Sequence, residues 1–167
     1  EDNLCIKAFK LIKKDFPKLP NISMHLHKNI PSGAGLGGGS ADAAFTLQLI
    51  NLKFGLDISA KKMQEYALQL GSDCPFFLLN KPCIATGRGE ILIPVEVDLS
   101  AYKILVVNPG IHVNTGWAFG QLPLSGKTRE SLPSIVQLPV NEWKHRLVND
   151  FEGPVFGAHP AIKQIKE

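Results

Sequence analysis

A cluster of glycines limits the folds open to this chain of 167 residues. It lies in the stretch PSGAGLGGGSADAA, residues 31–44, where five glycines occur within seven residues, at positions 33, 35, 37, 38 and 39. Glycine loses more conformational freedom on folding than any other residue, so such a cluster carries an entropic cost. Such clusters occur where another group must approach the backbone closely, because glycine has no side chain in the way. The stretch therefore predicts a loop whose main chain contacts a ligand.

The glycine loop lies between a predicted strand and a predicted helix. Apolar and polar residues alternate from Ile22 to His27, which is the period of a strand with one buried face. Residues 39–54 are rich in Ala, Leu and Gln and meet Gly55, where a helix C-terminal cap would be expected. Because a helix N-terminus presents unpaired N–H groups, the loop is predicted to bind phosphate, with Ser40 able to donate its hydroxyl. The alternative is that the glycines only permit a tight connection.

Two common phosphate-binding motifs do not fit the surrounding sequence. Residues 33–38 satisfy G-x-G-x-x-G, but a dinucleotide site needs a wholly buried strand before the loop and an acidic residue at the end of the next strand. Here the preceding strand alternates, and Asp57 lies in a short connection between helices. A Walker loop ends in Gly-Lys-Ser/Thr, and the sequence has no lysine between Asn29 and Leu52. A dinucleotide-dependent oxidoreductase therefore remains only a distant alternative.

Composition narrows the class of protein further. The chain is 44% hydrophobic and carries 18 basic and 15 acidic residues, a net charge of +3 that is too small to indicate nucleic-acid binding. Three cysteines without a C-x-x-C spacing indicate neither a disulfide framework nor a zinc site, so we expect a reducing, cytoplasmic setting. The sequence contains no membrane-spanning apolar run and no signal-peptide pattern, so we expect a protein that is neither secreted nor bound to a membrane.

The remaining patterns predict helices together with short strands. One amphipathic helix is predicted from Asn3 to Phe16, with Asp2 or Asn3 as its cap, and a second from Ser59 to Leu70, closed by Gly71. Short apolar runs predict strands at residues 76–79, 84–86, 91–95 and 103–108. Glycine and proline recur through residues 121–139, which predicts loops and short helices there, followed by helices near 141–149 and from about Pro160.

The residues around the glycine loop resemble a known family. P-x-x-x-G-L-G at residues 31–37, followed by small residues and a helix, is similar to the second signature motif of the GHMP small-molecule kinases. Three further stretches resemble other motifs of the family: GSDCPFF at 71–77, TGRGEILIPV at 86–95 and VVNPGIHVNTGWAF at 106–119. The resemblance implies an α+β fold, with residues 1–100 in an N-terminal domain like ribosomal protein S5 domain 2 and 101–167 in the connection and start of a ferredoxin-like domain.

The resemblance also implies a chemistry for the loop. Residues of the motif would bind the phosphates of ATP, and Mg²⁺ would screen the charge of these phosphates. The phosphate-binding residues would be Pro31, Gly33, Gly35, Leu36, Gly37, Gly38, Gly39 and Ser40. Asp73 matches the family's catalytic carboxylate, which would contact the acceptor and take the proton of its hydroxyl. Because Asp73 lies between Gly71 and Pro75 and is followed by apolar residues, we expect it to be rigid and partly buried. The alternative is that Asp73 only caps a turn.

The motif with three glycines after Leu36 most closely resembles that of one subgroup of the family. This subgroup phosphorylates the 2-hydroxyl of 4-(cytidine 5′-diphospho)-2-C-methyl-D-erythritol in the non-mevalonate isoprenoid pathway. In that subgroup Thr115 and Phe119 match positions that contact the cytidine end of the substrate, Phe119 by stacking on the base. Taken by itself, Phe119 could instead be a core residue. Another GHMP kinase, acting on homoserine, a sugar or mevalonate, and a non-catalytic nucleotide-binding module remain alternatives.

Some functional residues are not assigned by the sequence. His25 and His27 lie two residues apart without a third metal ligand nearby, so they are taken as a solvated strand face. The ligands of Mg²⁺ are unknown, because the glycines after Gly37 displace Ser40 from the position at which a serine approaches the metal in mevalonate-type relatives. The family's first and third motifs are absent from this sequence. We therefore expect the chain to be inactive by itself.

Overall fold

The computed structural model describes residues 3–29, 35–122 and 130–167. The chain forms two compact units, Glu1–Val95 and Glu96–Glu167. The predicted boundary at residue 100 lies close to this division. The assignment of the two segments to an N-terminal and a C-terminal kinase domain remains a prediction.

Four helices of the first unit surround its core. They are α1 (Leu4–Asp15), α2 (Gly38–Phe54), α3 (Ala60–Leu70) and α4 (Cys74–Leu79). Their ends follow local chemistry. The Asn3 side chain accepts a hydrogen bond from the N–H of Cys5, and Ser59 accepts one from Lys62, so both act as N-caps. Gly55 ends α2 in the left-handed conformation that glycine adopts without steric cost. The predicted helices at 3–16, 39–54 and 59–70 are therefore confirmed.

The core of the first unit lies where α2 packs against the other three helices. It is built from Ile12 of α1, Leu47 and Ile50 of α2, and Tyr66 of α3, each at most 2% exposed. Burying an aliphatic side chain of this size contributes about 1.5–3 kcal/mol, so this packing fixes the position of α2. The N-terminus of α2 is thereby held at a defined place beside α4.

A β-hairpin follows the helices. Strand β1 (Cys83–Thr86) pairs antiparallel with β2 (Ile91–Pro94), and Cys83 lies opposite Pro94. The turn between them contains two glycines with positive φ, Gly87 at 70° and Gly89 at 111°. The strands predicted at 84–86 and 91–95 are confirmed. Helices with a small sheet make an α+β structure, as predicted.

The second unit consists of short helices joined by irregular segments. In chain order they are α5 (Thr115–Gly120), α6 (Leu132–Val136), α7 (Val140–Trp143), α8 (Glu152–Ala158) and α9 (Pro160–Lys166). The predicted helix starting near Pro160 is confirmed, whereas the helix predicted for 141–149 is shorter and gives way to turns after Trp143. Helices α8 and α9 pack against each other.

Three predicted strands are wrong. Residues 76–79 form part of α4, where Pro75 starts the helix and Asn80 ends it in the left-handed conformation. Residues 22–27 and 103–108 carry strand-like patterns but are irregular. A strand needs a partner for its hydrogen bonds, and across residues 3–29, 35–122 and 130–167 the paired strands are β1 and β2 alone.

Candidate active site

The glycine loop enters α2 through a left-handed turn. Gly37 is the N-cap residue of α2 with φ 66°, and its carbonyl accepts a hydrogen bond from Ala41 at 2.9 Å. A Cβ at Gly37 would lie 2.8 Å from the tip of the Phe77 ring, so the loop packs against α4 at this point. Pro31 and Gly33 lie outside the described residues. Gly38, Gly39 and Ser40 form the first turn of α2, whose N–H groups lack carbonyl partners within the helix.

Lys28 lies beside the N-terminus of α2. Its Nζ is 2.5 Å from Asp42 Oδ2 and 3.3 Å from where a Cβ on Gly38 would lie. Both side chains are about one quarter exposed. The pair therefore places a cation next to the first turn of α2, where an anion would bind. No short-range spacing in the sequence links Lys28 to Asp42, so this cation could not be predicted from the sequence.

The turn that carries Asp73 packs on the first turn of α2. The side chains of Ser40 and Cys74 meet beside Gly71, where a Cβ would lie 3.4 Å from Cys74 Sγ and 4.0 Å from Ser40 Oγ. Cys74 is fully buried, and this burial raises the pKa of its thiol. The hydroxyl of Ser40 thus lies at the junction between the two segments. Its backbone N–H remains on the side of α2 where an anion is predicted to bind.

Asp73 is exposed, so the expectation that it is partly buried is wrong. The inward position is taken by the next residue, Cys74, while Asp73 lies outside the first turn of α4 with φ −88° and ψ −14°. The Ser72 hydroxyl donates a weak hydrogen bond of 3.4 Å to Asp73 Oδ1. Within the described part of the chain, the Asp73 side chain makes no capping bond to α4. A carboxylate placed in this way can accept a proton or a hydrogen bond from a bound molecule.

The hairpin turn borders the carboxylate of Asp73. A Cβ on Gly89 would lie 3.4 Å from Asp73 Oδ1 and 3.9 Å from the carbonyl oxygen of Ser72. The Glu90 carboxylate accepts a hydrogen bond of 2.6 Å from the N–H of Arg88, and backbone hydrogen bonds hold the pKa of Glu90 below its usual value. The turn belongs to the family motif at residues 86–95, whose residues the sequence left without a role.

In the second unit, the side chains of Thr115 and Phe119 are exposed on α5. The ring of Phe119 is 60% exposed and meets the Phe151 ring edge-on, with centroids 4.9 Å apart and planes at 86°. The alternative that Phe119 is a core residue is therefore wrong. An exposed aromatic face held by a neighbouring ring can stack on a planar ligand.

A cleft of about 480 Å³ lies between residues 22–26 and one face of α2. Met24, Leu26, Phe45 and Leu49 make its walls mainly apolar. The cleft could not be predicted from the sequence, because the alternating pattern of residues 22–27 indicates a regular strand with one solvent-exposed face.

Two further observations concern metals and membranes. Among the residues that the structure describes, no group of three or more His, Cys, Asp or Glu side chains could hold a metal ion. None of the described helices has both the length and the apolar character needed to cross a bilayer.

Comparison with known proteins identifies the family. Residues 3–81 match the family described as the GHMP kinases N terminal domain. A 4-diphosphocytidyl-2-C-methyl-D-erythritol kinase of Azobacteroides pseudotrichonymphae is 49% identical over 99% of the chain. The chain belongs to the GHMP kinases. The resemblance noted in the sequence is thereby confirmed, and the glycine loop lies within the matched segment of this GHMP kinase chain.

Other relatives carry the same name, and a solved structure carries a closely similar one. A 4-diphosphocytidyl-2-C-methyl-D-erythritol kinase of Bacteroides fragilis is 47% identical over the whole chain, and one of Solidesulfovibrio magneticus is 37% identical. A crystal structure of 4-(cytidine 5′-diphospho)-2C-methyl-D-erythritol kinase is 28% identical and superposes with a TM-score of 0.79, covering 98% of this chain and 59% of that one. The chain spans about three fifths of the length of its curated relatives, 62% and 60% of the first two.

Proposed function

We propose that this chain is part of an ATP-dependent kinase that phosphorylates the 2-hydroxyl of 4-(cytidine 5′-diphospho)-2-C-methyl-D-erythritol. In this proposal the enzyme acts in the cytoplasm on a small-molecule substrate and binds neither nucleic acid nor membrane. The names of the relatives support the substrate. The observation that carries the proposal is the packing of the Asp73 turn on the first turn of α2 through Ser40 and Cys74. It brings a carboxylate next to a helix end suited to phosphate.

In the proposed complex, ATP phosphates lie at the N-terminus of α2. Backbone N–H groups of Gly38, Gly39 and Ser40 donate to the phosphate oxygens, and the helix dipole favours their negative charge. The absence of side chains at Gly35 and Gly37 lets the phosphates approach the backbone closely. Pro31, Gly33 and Leu36 complete the loop in this proposal. Lys28 adds a positive charge on the same side.

A magnesium ion fits this site when its ligands come mainly from the nucleotide. Mg²⁺ is commonly bound by one or two carboxylates together with substrate phosphates and water. Phosphate oxygens and water would supply most of the ligands here, because Asp42 is paired with Lys28 and Asp73 is assigned as the base. When bound, Mg²⁺ would neutralise charge on the phosphates during transfer.

Asp73 is proposed to act as the general base. The 2-hydroxyl oxygen of the acceptor forms a bond to the terminal phosphorus of ATP, and the bond from that phosphorus to ADP breaks. The hydroxyl proton passes to the Asp73 carboxylate. Because the side chain of Asp73 is exposed, an acceptor can reach it directly.

Thr115 and Phe119 are proposed to bind the cytidine end of the acceptor. The exposed face of the Phe119 ring would stack on the base, and the Thr115 hydroxyl would donate or accept a hydrogen bond. A sugar, homoserine or mevalonate has no aromatic base, so this contact would favour the cytidine substrate over the acceptors of other GHMP kinases.

The proposal is tested in the full-length protein that contains this chain, by measuring ADP release with the cytidine substrate. Asp73→Asn should abolish turnover while ATP still binds, as measured by isothermal titration. Asp57→Asn is the matched control, since Asp57 is exposed with φ 50°, a conformation that asparagine also adopts. Normal turnover in Asp73→Asn would assign the general base to another residue, whereas a wild-type protein that binds ATP without turnover would favour a non-catalytic nucleotide-binding module. Turnover of homoserine, a sugar or mevalonate in place of the cytidine compound would show that the protein is a different GHMP kinase.

A further inference from the structure

We propose that Arg88, at the tip of the hairpin turn, binds a phosphate group of the acceptor substrate. The inference rests on the proposed function and extends it to a residue that neither the family motifs nor the relatives assign. Its basis is the position of the turn against Asp73, together with the exposure of the Arg88 side chain.

The turn from Gly87 to Glu90 is held in one shape by its own hydrogen bonds. The N–H of Gly89 donates to the carbonyl of Thr86 at 3.1 Å, and the N–H of Arg88 donates to Glu90 Oε2 at 2.6 Å. Positive φ values at Gly87 and Gly89 allow the chain to reverse within this short distance. The backbone of Arg88 is therefore fixed, which reduces the entropy lost when its side chain binds a ligand.

The same turn forms one wall beside Asp73. A Cβ on Gly89 would lie 3.4 Å from Asp73 Oδ1, so the backbone next to Arg88 runs beside the proposed base. The acceptor must bring its hydroxyl to Asp73, so other parts of the acceptor must pass close to this turn. ATP phosphates, in contrast, are proposed to lie at the N-terminus of α2 beside Lys28. Arg88 is thus placed for the acceptor, and Lys28 for the nucleotide.

The charge of Arg88 is accessible. Its side chain is 81% exposed, and its Nε lies 3.9 Å from Glu90 Oε1, at the outer limit of an ion pair. Glu90 already accepts the backbone N–H of Arg88. Exposed pairs of this length contribute little, so Glu90 does not hold the guanidinium strongly. A guanidinium presents five donors in a planar fork that matches the oxygens of a phosphate or diphosphate.

The first experiment measures steady-state kinetics of the full-length protein with Arg88→Ala, Arg88→Lys and the control Lys81→Ala. Lys81 is also an exposed cation, but it precedes the hairpin at the end away from the turn. We expect Arg88→Ala to raise KM for the cytidine acceptor by about tenfold or more, which is the loss of one charge-assisted contact. The lysine variant should recover part of this loss. KM for ATP and kcat should stay within about twofold of the wild type.

The second experiment measures the binding of cytidine diphosphate directly, with the ATP site filled by a non-hydrolysable ATP analogue. We expect Arg88→Ala to weaken this binding and Lys81→Ala to leave it unchanged. Equal binding by wild type and Arg88→Ala, or a rise in KM for ATP instead of the acceptor, would overturn the role of Arg88. A wild-type protein without kinase activity that still shows Arg88-dependent binding would overturn the proposed function and leave only the binding of a diphosphate by Arg88.

Discussion

Gly37 lies against the tip of the Phe77 ring, and a Cβ on Gly37 would come within 2.8 Å of Phe77 Cζ. The contact joins the glycine loop to α4, the helix that begins immediately after Asp73. The distance between the proposed phosphate site and the proposed base is therefore set by packing within one compact unit.

Replacing Gly37 tests this contact. A non-glycine residue in the left-handed conformation costs about 1–2 kcal/mol, and alanine at 37 would add a clash with Phe77. Gly35→Ala is the matched control, because Gly35 has φ 73° and its Cβ position has no described atom within 4 Å. We expect Gly37→Ala to lower Tm more than Gly35→Ala in thermal unfolding. Adding Phe77→Leu should recover part of the difference, and equal Tm values for the two alanine variants would contradict the contact.

Lys28→Ala tests the cation beside the first turn of α2. If ATP phosphates bind there, loss of one charge-assisted contact should raise KM for ATP by about tenfold, with KM for the acceptor unchanged. Lys53→Ala is the control, since Lys53 lies in the last turn of the same helix. Steady-state kinetics of the full-length protein measure both values. A KM for ATP that responds equally to the two substitutions would show that the position of Lys28 is unimportant.

Phe119→Ala tests the stacking surface in the second unit. Stacking of one base on an aromatic side chain contributes about 1–3 kcal/mol, so KM for the cytidine acceptor should rise about tenfold or more. Phe119→Tyr should keep most of the affinity, and Phe151→Ala should cause a smaller loss, because Phe151 only holds the ring of Phe119. Trp117→Ala serves as the control, since the Trp117 ring packs on His159. An unchanged KM in Phe119→Ala would remove this residue from the acceptor site.

The stability of the first unit is expected to fall in acid. The Tyr66 hydroxyl donates to Asp15 Oδ2 at 2.6 Å, and Lys62 Nζ lies 3.0 Å from the same oxygen. These contacts, the Tyr66 hydrogen bond above all, hold the pKa of Asp15 below its ordinary value of 3.8. The unfolded chain therefore takes up a proton first as the pH falls. The contribution of Asp15 is present above pH 3.8 and is lost as the pH falls through the lower pKa of the folded state.

Tyr66→Phe checks this pH dependence. The variant removes the main cause of the lowered pKa, so Tm should fall less steeply with acidification than in the wild type. Tyr102→Phe is the control, because Tyr102 is 55% exposed in the second unit. Thermal unfolding monitored by circular dichroism over an acidic pH series measures the slope. The same slope in wild type and Tyr66→Phe would contradict the role of the hydrogen bond.

The sequence predicted those elements whose signals are local. Asn3 and Ser59 cap helices through side chains that bond to nearby backbone N–H groups, and Gly55 ends α2 through its own backbone freedom. Strand pairing is not local, so alternation at residues 22–27 and 103–108 was not enough to place strands there. The four apolar residues at 76–79 suit either a helix or a strand, and packing of α4 against α2 and α3 decides for the helix.

In the candidate site, too, the local features were predicted from the sequence and the contacts between distant segments were not. The sequence predicted the glycine loop before α2 and singled out Asp73, because each belongs to a contiguous motif. It could not predict the approach of Lys28 to Asp42, or of Gly89 to Asp73, since these contacts join segments that are distant along the chain. Burial of Asp73 was also wrongly expected. Apolar neighbours in sequence do not show which side of a helix start faces the core.

Asp73 stands at the start of α4 without a capping bond to that helix. Fold and chemistry are therefore separable at this position: a change of side chain removes a proton acceptor without removing a structural support. An inactive variant at residue 73 that keeps its melting temperature can be attributed to lost reactivity. Evolution could likewise alter or abolish the reaction here while leaving the architecture intact.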